Sequence, residues 1–363
     1  MLKKTLLLLF ATAVATSGTA QRYTLSGIAP TGVSTVYLSH IGEEDTDSTT
    51  ADAQGRFAFS GDAKGKHLAY VFTKGKDAAG ITVFLEGNIT VNLPEYTVAG
   101  SEENQGLNDY QQFLKTTKQP LKAIVDRLTA KRNSGQELDE YDLAAYYDLS
   151  DSLSAIIKER AQNDLRHNTR MRWPAYIVHS LMNEMERDDL ISLDTPGNAF
   201  MEEPCMEKVK KLIAAYRRTQ PGQKFADFEM PDTAGVTHRL SEYAGRGTYV
   251  LLDFWATWCG PCMRELPNVK ALYEKYHAQG FDIVGISFDQ DGDSWRAVIR
   301  RKQMNWTHLS DLGGWKSLPV EFYGVRAIPH TILLGPDGTI LDPNLTGEKL
   351  AEKLAEIFGS ASD

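Results

Sequence analysis

The chain has 363 residues, 42% hydrophobic and 24% charged, with 39 Lys and Arg against 48 Asp and Glu for a formal net charge of -9. A balance this acidic argues against nucleic acid as a partner, and the length suits about two or three domains with sizeable cores. Three cysteines are too few to staple such a chain, so its folding rests on apolar burial.

Residues 1–20 carry Lys3 and Lys4, then the apolar run Leu6-Leu7-Leu8-Leu9-Phe10-Ala11, and end on Gly18-Thr19-Ala20. This pattern reads as a secretory signal peptide cleaved near Ala20, too short to serve as a membrane span. The mature protein is therefore expected to be periplasmic or otherwise exported, and not an integral membrane protein. Residues 21–104 read as a β-rich domain. The short apolar runs Thr35-Val36-Tyr37-Leu38, Arg56-Phe57-Ala58-Phe59, Ala69-Tyr70-Val71-Phe72 and Ile81-Thr82-Val83-Phe84-Leu85 are separated by glycine and polar turns.

Residues 105–219 read as helical. Leu107, Tyr110, Phe113 and Leu114 form one apolar stripe, and Leu149, Leu153, Ile156 and Ile157 another. Tyr141, Tyr146 and Tyr147 read as packing residues. Cys205 has no cysteine near it and reads as a buried, inert thiol rather than a partner for another pair.

From 220 to 363 the pattern changes to alternating strands and helices. Phe225 to Leu240 reads as a β-hairpin turning at Asp232-Thr233-Ala234-Gly235. The run Tyr249 to Ala256 is apolar and β-prone, as a buried parallel strand should be. Trp258-Cys259-Gly260-Pro261-Cys262 follows, and then Leu266, Val269, Leu272, Tyr273 and Tyr276 at helical spacing. The two cysteines therefore stand where a strand hands over to a helix.

A C-x-x-C pair in that context lets two sulfurs cycle between dithiol and disulfide across one helical turn. Unpaired N–H groups and the dipole at a helix start stabilise the Cys259 thiolate, making it the attacking sulfur, with Cys262 one turn in as the more buried resolving sulfur. Pro261 lies where a missing N–H costs nothing, and Gly260 leaves one side of Cys259 open to a partner chain. Zinc needs about four ligands, and the sequence has no second C-x-x-C or nearby H-x-x-x-H. Haem attachment needs His after the second cysteine, where Met263 stands. No metal and no cofactor is expected.

Residues 220 to 358 resemble the thioredoxin superfamily. Asp253, six residues before Cys259, matches the family's buried carboxylate that exchanges protons with the resolving cysteine. Ala327-Ile328-Pro329 matches its cis-proline loop, facing the sulfurs and offering a backbone edge to substrate. The continuation Cys262-Met263-Arg264-Glu265-Leu266-Pro267 and the added hairpin are similar to the TlpA/ResA-type branch. The resemblance implies an α/β thioredoxin-like domain, a central mixed sheet flanked by helices, preceded by the β-rich and helical regions. It also implies catalysis by Cys259, Cys262 and Asp253, with Trp258, Gly260, Pro261, Ile328 and Pro329 meeting substrate. The segment Asp47 to Gly61 resembles an uncharacterised β-sandwich-like domain often fused ahead of such proteins.

Three positions depart from the pattern. Gly285 stands where a lysine near the buried carboxylate is common, so Asp253 lacks a cation and is expected to titrate close to working pH. His330 replaces a threonine after Pro329, either touching the disulfide or capping a strand. Gly260-Pro261 replaces the acidic residue that ResA-type proteins often carry between the cysteines. By resemblance, Gly260-Pro261 and Ile328 are of the reducing type.

The function implied is an exported thiol:disulfide oxidoreductase that reduces disulfides of exported proteins and is itself re-reduced by a membrane thiol protein. A peroxiredoxin-like thiol peroxidase is the alternative within the fold, but Ala256 stands where its threonine belongs, and Thr257 is one residue too close. A client-binding or chaperone-like module with secondary redox activity is the alternative outside it.

Overall fold

The computed structural model describes residues 22–75 and 78–359. The expected signal peptide lies outside the described residues. The chain divides into two compact units, Met1–Val178 with Gly197–Met206, and His179–Pro196 with Glu207–Asp363.

The first unit begins with eight strands: β1 (Arg22–Ile28), β2 (Thr35–His40), β3 (Thr46–Thr50), β4 (Arg56–Asp62), β5 (Leu68–Phe72), β6 (Gly80–Phe84), β7 (Gly87–Asn92) and β8 (Thr97–Ala99). They form two four-stranded sheets, β4-β1-β7-β8 and β3-β2-β5-β6. Alternate residues from both sheets, among them Leu25, Val36, Leu38, Val71, Val83, Ile89 and Val91, meet in one apolar core. This is the sandwich-like arrangement that period-two patterning dictates.

Two long helices follow, α1 (Glu102–Asn133) and α2 (Glu140–His167). Ser101 caps α1, and Asp139 and Asp142 form a capping box on α2. Leu107 and Tyr110 are buried as the stripe predicts, together with Leu153 and Ile157. Ile156 is exposed, because the narrow buried seam of α2 takes its neighbour Ile157 instead. Tyr141 and Tyr147 also face solvent rather than packing into a core. Asn104 and Gln111, two turns apart on α1, complete the edge of β6. Asn104 accepts from Phe84 N–H and donates to its carbonyl, at 2.9 and 2.7 Å. Gln111 does the same for Thr82, at 2.9 Å each way.

A short helix, α3 (Ala175–Leu181), carries the chain into the second unit, where α4 (Arg187–Leu193) and α5 (Glu207–Arg218) precede a hairpin of β9 (Glu229–Pro231) and β10 (Thr237–Arg239). Asp232 Oδ1 accepts from the N–H groups of Ala234 and Val236, and Gly235 takes φ 83°, which fixes the turn. Then come β11 (Tyr249–Trp255), α6 (Gly260–Tyr276), β12 (Phe281–Ser287), α7 (Gly292–Lys302), β13 (Thr307–Leu309), α8 (Leu318–Tyr323), β14 (His330–Leu334), β15 (Ile340–Asp342) and α9 (Gly347–Gly359).

The sheet order is β13-β12-β11-β14-β15, parallel from β13 to β11 and antiparallel beyond. It is the expected thioredoxin-like mixed sheet. The central strand β11 is buried along nearly its whole length, which explains its unbroken apolar run. Leu266, Val269, Leu272 and Tyr276 of α6, Trp295 and Val298 of α7, and Leu350, Leu354 and Phe358 of α9 share its core.

Candidate active site

Strand β11 ends at Trp255 and helix α6 starts at Gly260, so residues 256–259 form the turn between them. Cys259 is the N-cap of α6, and its Sγ accepts the Cys262 N–H at 3.1 Å. A negative sulfur at that position satisfies an otherwise orphaned donor and lies at the positive end of the helix dipole. The two cysteines are joined as a disulfide, with Cα atoms 5.3 Å apart. Pro261 falls in the first turn, and a Cβ on Gly260 would meet only the Arg264 guanidinium, at 3.6 Å.

The expectation that Cys262 is the more buried sulfur is not met: Cys259 is 4% exposed and Cys262 5%. In the closed disulfide the loop containing the cis Ile328-Pro329 bond covers Cys259, whose Sγ lies 3.6 Å from the Ile328 carbonyl oxygen. Beside the pair, Trp258 projects outward at 56% exposure and its ring meets Trp315 at 6.5 Å.

Asp253, on β11, is buried beneath the cysteines. It lines a cavity of about 10 Å³, about the size of one water, together with Cys262, Glu265 and Pro329. Burial, and secondly the charge of Glu265, raise its carboxyl pKa to about 7. Asp253 pairs with Gly285 on β12. A Cβ at Gly285 would stand 2.6 Å from His308 Nδ1 and 3.1 Å from Trp255 Nε1, so the position that lacks a lysine also has no room for one. A carboxyl that ionises near neutrality next to a sulfur can exchange a proton with it at working pH.

His330 starts β14 and packs against Phe254 at 5.7 Å. It lines, with Pro329, a cleft on the other side of the cis-proline loop. Thr257 donates through its hydroxyl to Asp289 Oδ1 at 2.5 Å. That hydroxyl is therefore directed to a carboxylate rather than to the sulfur.

Two residues of the site escaped sequence reasoning. Glu265 stands three residues after Cys262, one helical turn along the same face, a spacing that could have drawn attention to it. Its Oε1 accepts from the Gly347 N–H and from Asn268, each at 2.8 Å, tying α6 to the start of α9. Asp289, only 2% exposed, also binds the Thr257 N–H and the Ser287 hydroxyl, anchoring the turn before Cys259. No local signal marks its hold on the turn, because Thr257 lies 32 residues earlier. Cys205 is a free thiol in the first unit, and burial followed by the charge of Glu203 pushes its pKa up to about 12. It is a poor thiolate at neutral pH.

Residues 221–342 match the AhpC/TSA family, and residues 23–107 match a domain of unknown function, DUF4369. The thiol-disulfide oxidoreductase ResA of Bacillus thuringiensis subsp. konkukian is 30% identical over 135 residues, spanning 37% of this chain and 75% of that protein. ResA of Geobacillus kaustophilus is 32% identical over 139 residues, 38% of this chain and 77% of that one. Among solved structures, a thiol-disulfide oxidoreductase from Bacteroides fragilis aligns with 32% identity over 37% of this chain and 99% of its own, with a TM-score of 0.35. The stretch that matches the AhpC/TSA family carries the cysteine pair at the start of α6, and with three quarters of those ResA proteins matched at 30% identity or more, the chain belongs to the family of ResA-type thiol-disulfide oxidoreductases.

Proposed function

We propose that this oxidoreductase works in the reducing direction on disulfides of exported proteins, through residues 220–363 as its catalytic domain. The observation that carries the reading is the single cavity shared by Cys262, Asp253 and Pro329. It gives a disulfide-exchange pair a buried proton acceptor and a docking edge at once. Gly260-Pro261 and Ile328, of the reducing type by resemblance, support the direction.

In the cycle, the Cys259 thiolate attacks one sulfur of a client disulfide. The client S–S bond breaks, a Cys259–client bond forms, and the departing client thiolate takes a proton from solvent. The client strand lies along the backbone edge at Ile328-Pro329 by strand addition. Asp253, as carboxylate, accepts the Cys262 proton, relayed by a water that the small cavity admits. The Cys262 thiolate then attacks Cys259, closing the disulfide and releasing the second client thiol, which is protonated in turn. The client gains two electrons and two protons, and the enzyme pair loses them.

Regeneration requires an external dithiol, and for an exported protein a membrane thiol reductant is the fitting donor. Export itself rests on the leader pattern of residues 1–20; none of the described helices is long and apolar enough to cross a membrane. A peroxidase reading is disfavoured by the Thr257 hydroxyl bound to Asp289 and by Ala256 at the position of the needed threonine.

Redox titration of the full chain against glutathione or dithiothreitol buffers tests the direction. A midpoint in the thioredoxin range, about -270 mV, is expected, and one near -120 mV, as in strong oxidants, would reverse the assignment.

A further inference from the structure

Behind the cis-proline loop lies a cleft of about 260 Å³, far larger than the cavity under Cys262. All of its lining residues belong to the second unit. One wall comes from the segment before and into α4, through Glu186 and Arg187. The others come from Tyr216 of α5 and from Arg326, Pro329 and His330 of the cis-proline loop and β14.

Arg187 and Arg326 stack on the Tyr216 ring, with guanidinium carbons 5.0 and 5.5 Å from its centre. The hydrogen bonds that hold them go to uncharged oxygens. Arg187 Nη2 donates to the Tyr216 carbonyl and, at 2.9 Å, to Thr219 Oγ1. Arg326 donates to the carbonyls of Met182 and Met185, the latter at 3.0 Å. Each guanidinium has five N–H donors, so both keep donors to spend.

Glu186 is the only acid among the lining residues, against two arginines. Asp188 and Asp342 act on Arg187 only from outside the wall. The positive field registers on His330, whose pKa falls to about 4, first through burial and then through Arg187 and Arg326. Its Nε2 is buried without a hydrogen-bond partner among the described residues. Fixed guanidiniums with spare donors make a pocket for an anion that presents two oxygens.

Pro329 borders both this cleft and the cavity under Cys262. A client strand lying on the Ile328-Pro329 edge advances about 3.3 Å per residue, so side chains within a few residues of its cysteine come over the cleft. We propose that the cleft is a client subsite in which Arg187 and Arg326 receive an Asp or Glu side chain close in sequence to the cysteine that Cys259 attacks. This rests on the protein-disulfide reductase reading above.

The test uses the reduced full chain and short peptides, each with one cysteine held as a mixed disulfide with 2-mercaptoethanol. Asp, Asn or Lys is scanned over the three positions on either side, and single-turnover rates are followed by tryptophan fluorescence. At low salt, Asp at one or two positions should react about tenfold faster than Asn there, as a charge-assisted bond allows. The preference should shrink toward one in Arg187→Gln and survive only in part in Arg187→Lys, which keeps the charge but loses the planar fork. Reduction of every peptide with equal rates for Asp and Asn overturns the subsite and leaves the reductase reading standing. So does a preference unchanged in Arg187→Gln. Failure to reduce any peptide removes both.

Discussion

Asp253 is the residue on which proton movement depends, and its environment makes the dependence measurable. The folded chain holds its proton up to about pH 7, whereas an ordinary aspartate loses it near 3.8. Between those values the folded state binds more protons than the unfolded one, so this group's contribution to stability declines as pH rises through that window. Asp253→Asn removes the cost of a buried carboxylate. Its stability advantage over the wild type should be small near pH 4 and on the order of 1–4 kcal/mol at pH 8, read by chemical denaturation at the two values. The same variant should lose the proton acceptor for Cys262. Rapid quenching should show the mixed disulfide resolving about a hundredfold more slowly at pH 7, with the first attack by Cys259 much less affected.

Helix α6 sets the reactivity of the attacking sulfur. With Cys259 as its N-cap and the Cys262 N–H 3.1 Å from the sulfur, the reduced thiol should ionise well below the free value of about 8.5. The pH dependence of alkylation by iodoacetamide measures this, and a midpoint at or above that value would show that the helix start does not stabilise the thiolate. Helix α1 serves the first unit in a different way, by supplying side-chain amides to an otherwise unpaired strand edge. Asn104→Ala should leave the buried N–H and carbonyl of Phe84 without partners, at a cost of about 2–4 kcal/mol in denaturant unfolding of the full chain.

Across the whole molecule, local patterns that one element could satisfy by itself were legible in the sequence. The apolar run of β11, the strand-to-helix placement of Cys259 and Cys262, and the turn at Asp232 to Gly235 all emerge where they were read, and Asp253 opposite Gly285, a pairing between strands, emerges as the family resemblance implied. The start of α6 at Gly260 follows because the cysteine side chain itself caps the helix. What stayed hidden depends on partners distant in the chain. Strand β3, with the sequence TDSTT, has no apolar pattern and is held by pairing with β2. Asp289 gains its role only once the chain has folded back to Thr257, and Arg326 only when the segment ending in α4 has packed beside it. The tyrosines of α2 misled for the complementary reason, since aromatic content alone does not say which face of a helix is covered.

The central claim is that Cys259 attacks a client disulfide and Cys262 resolves the product, and a Cys262→Ala variant tests it most directly. Incubated with disulfide-containing exported proteins and analysed by mass spectrometry without reductant, it should accumulate mixed disulfides through Cys259. A Cys259→Ala variant treated identically should accumulate far fewer, because its two remaining thiols are Cys262, which does not hold the N-cap position of α6, and Cys205, whose pKa burial pushes up to about 12. Absence of adducts on Cys262→Ala, or equal adducts on both variants, would contradict the assignment of Cys259 as the attacking sulfur.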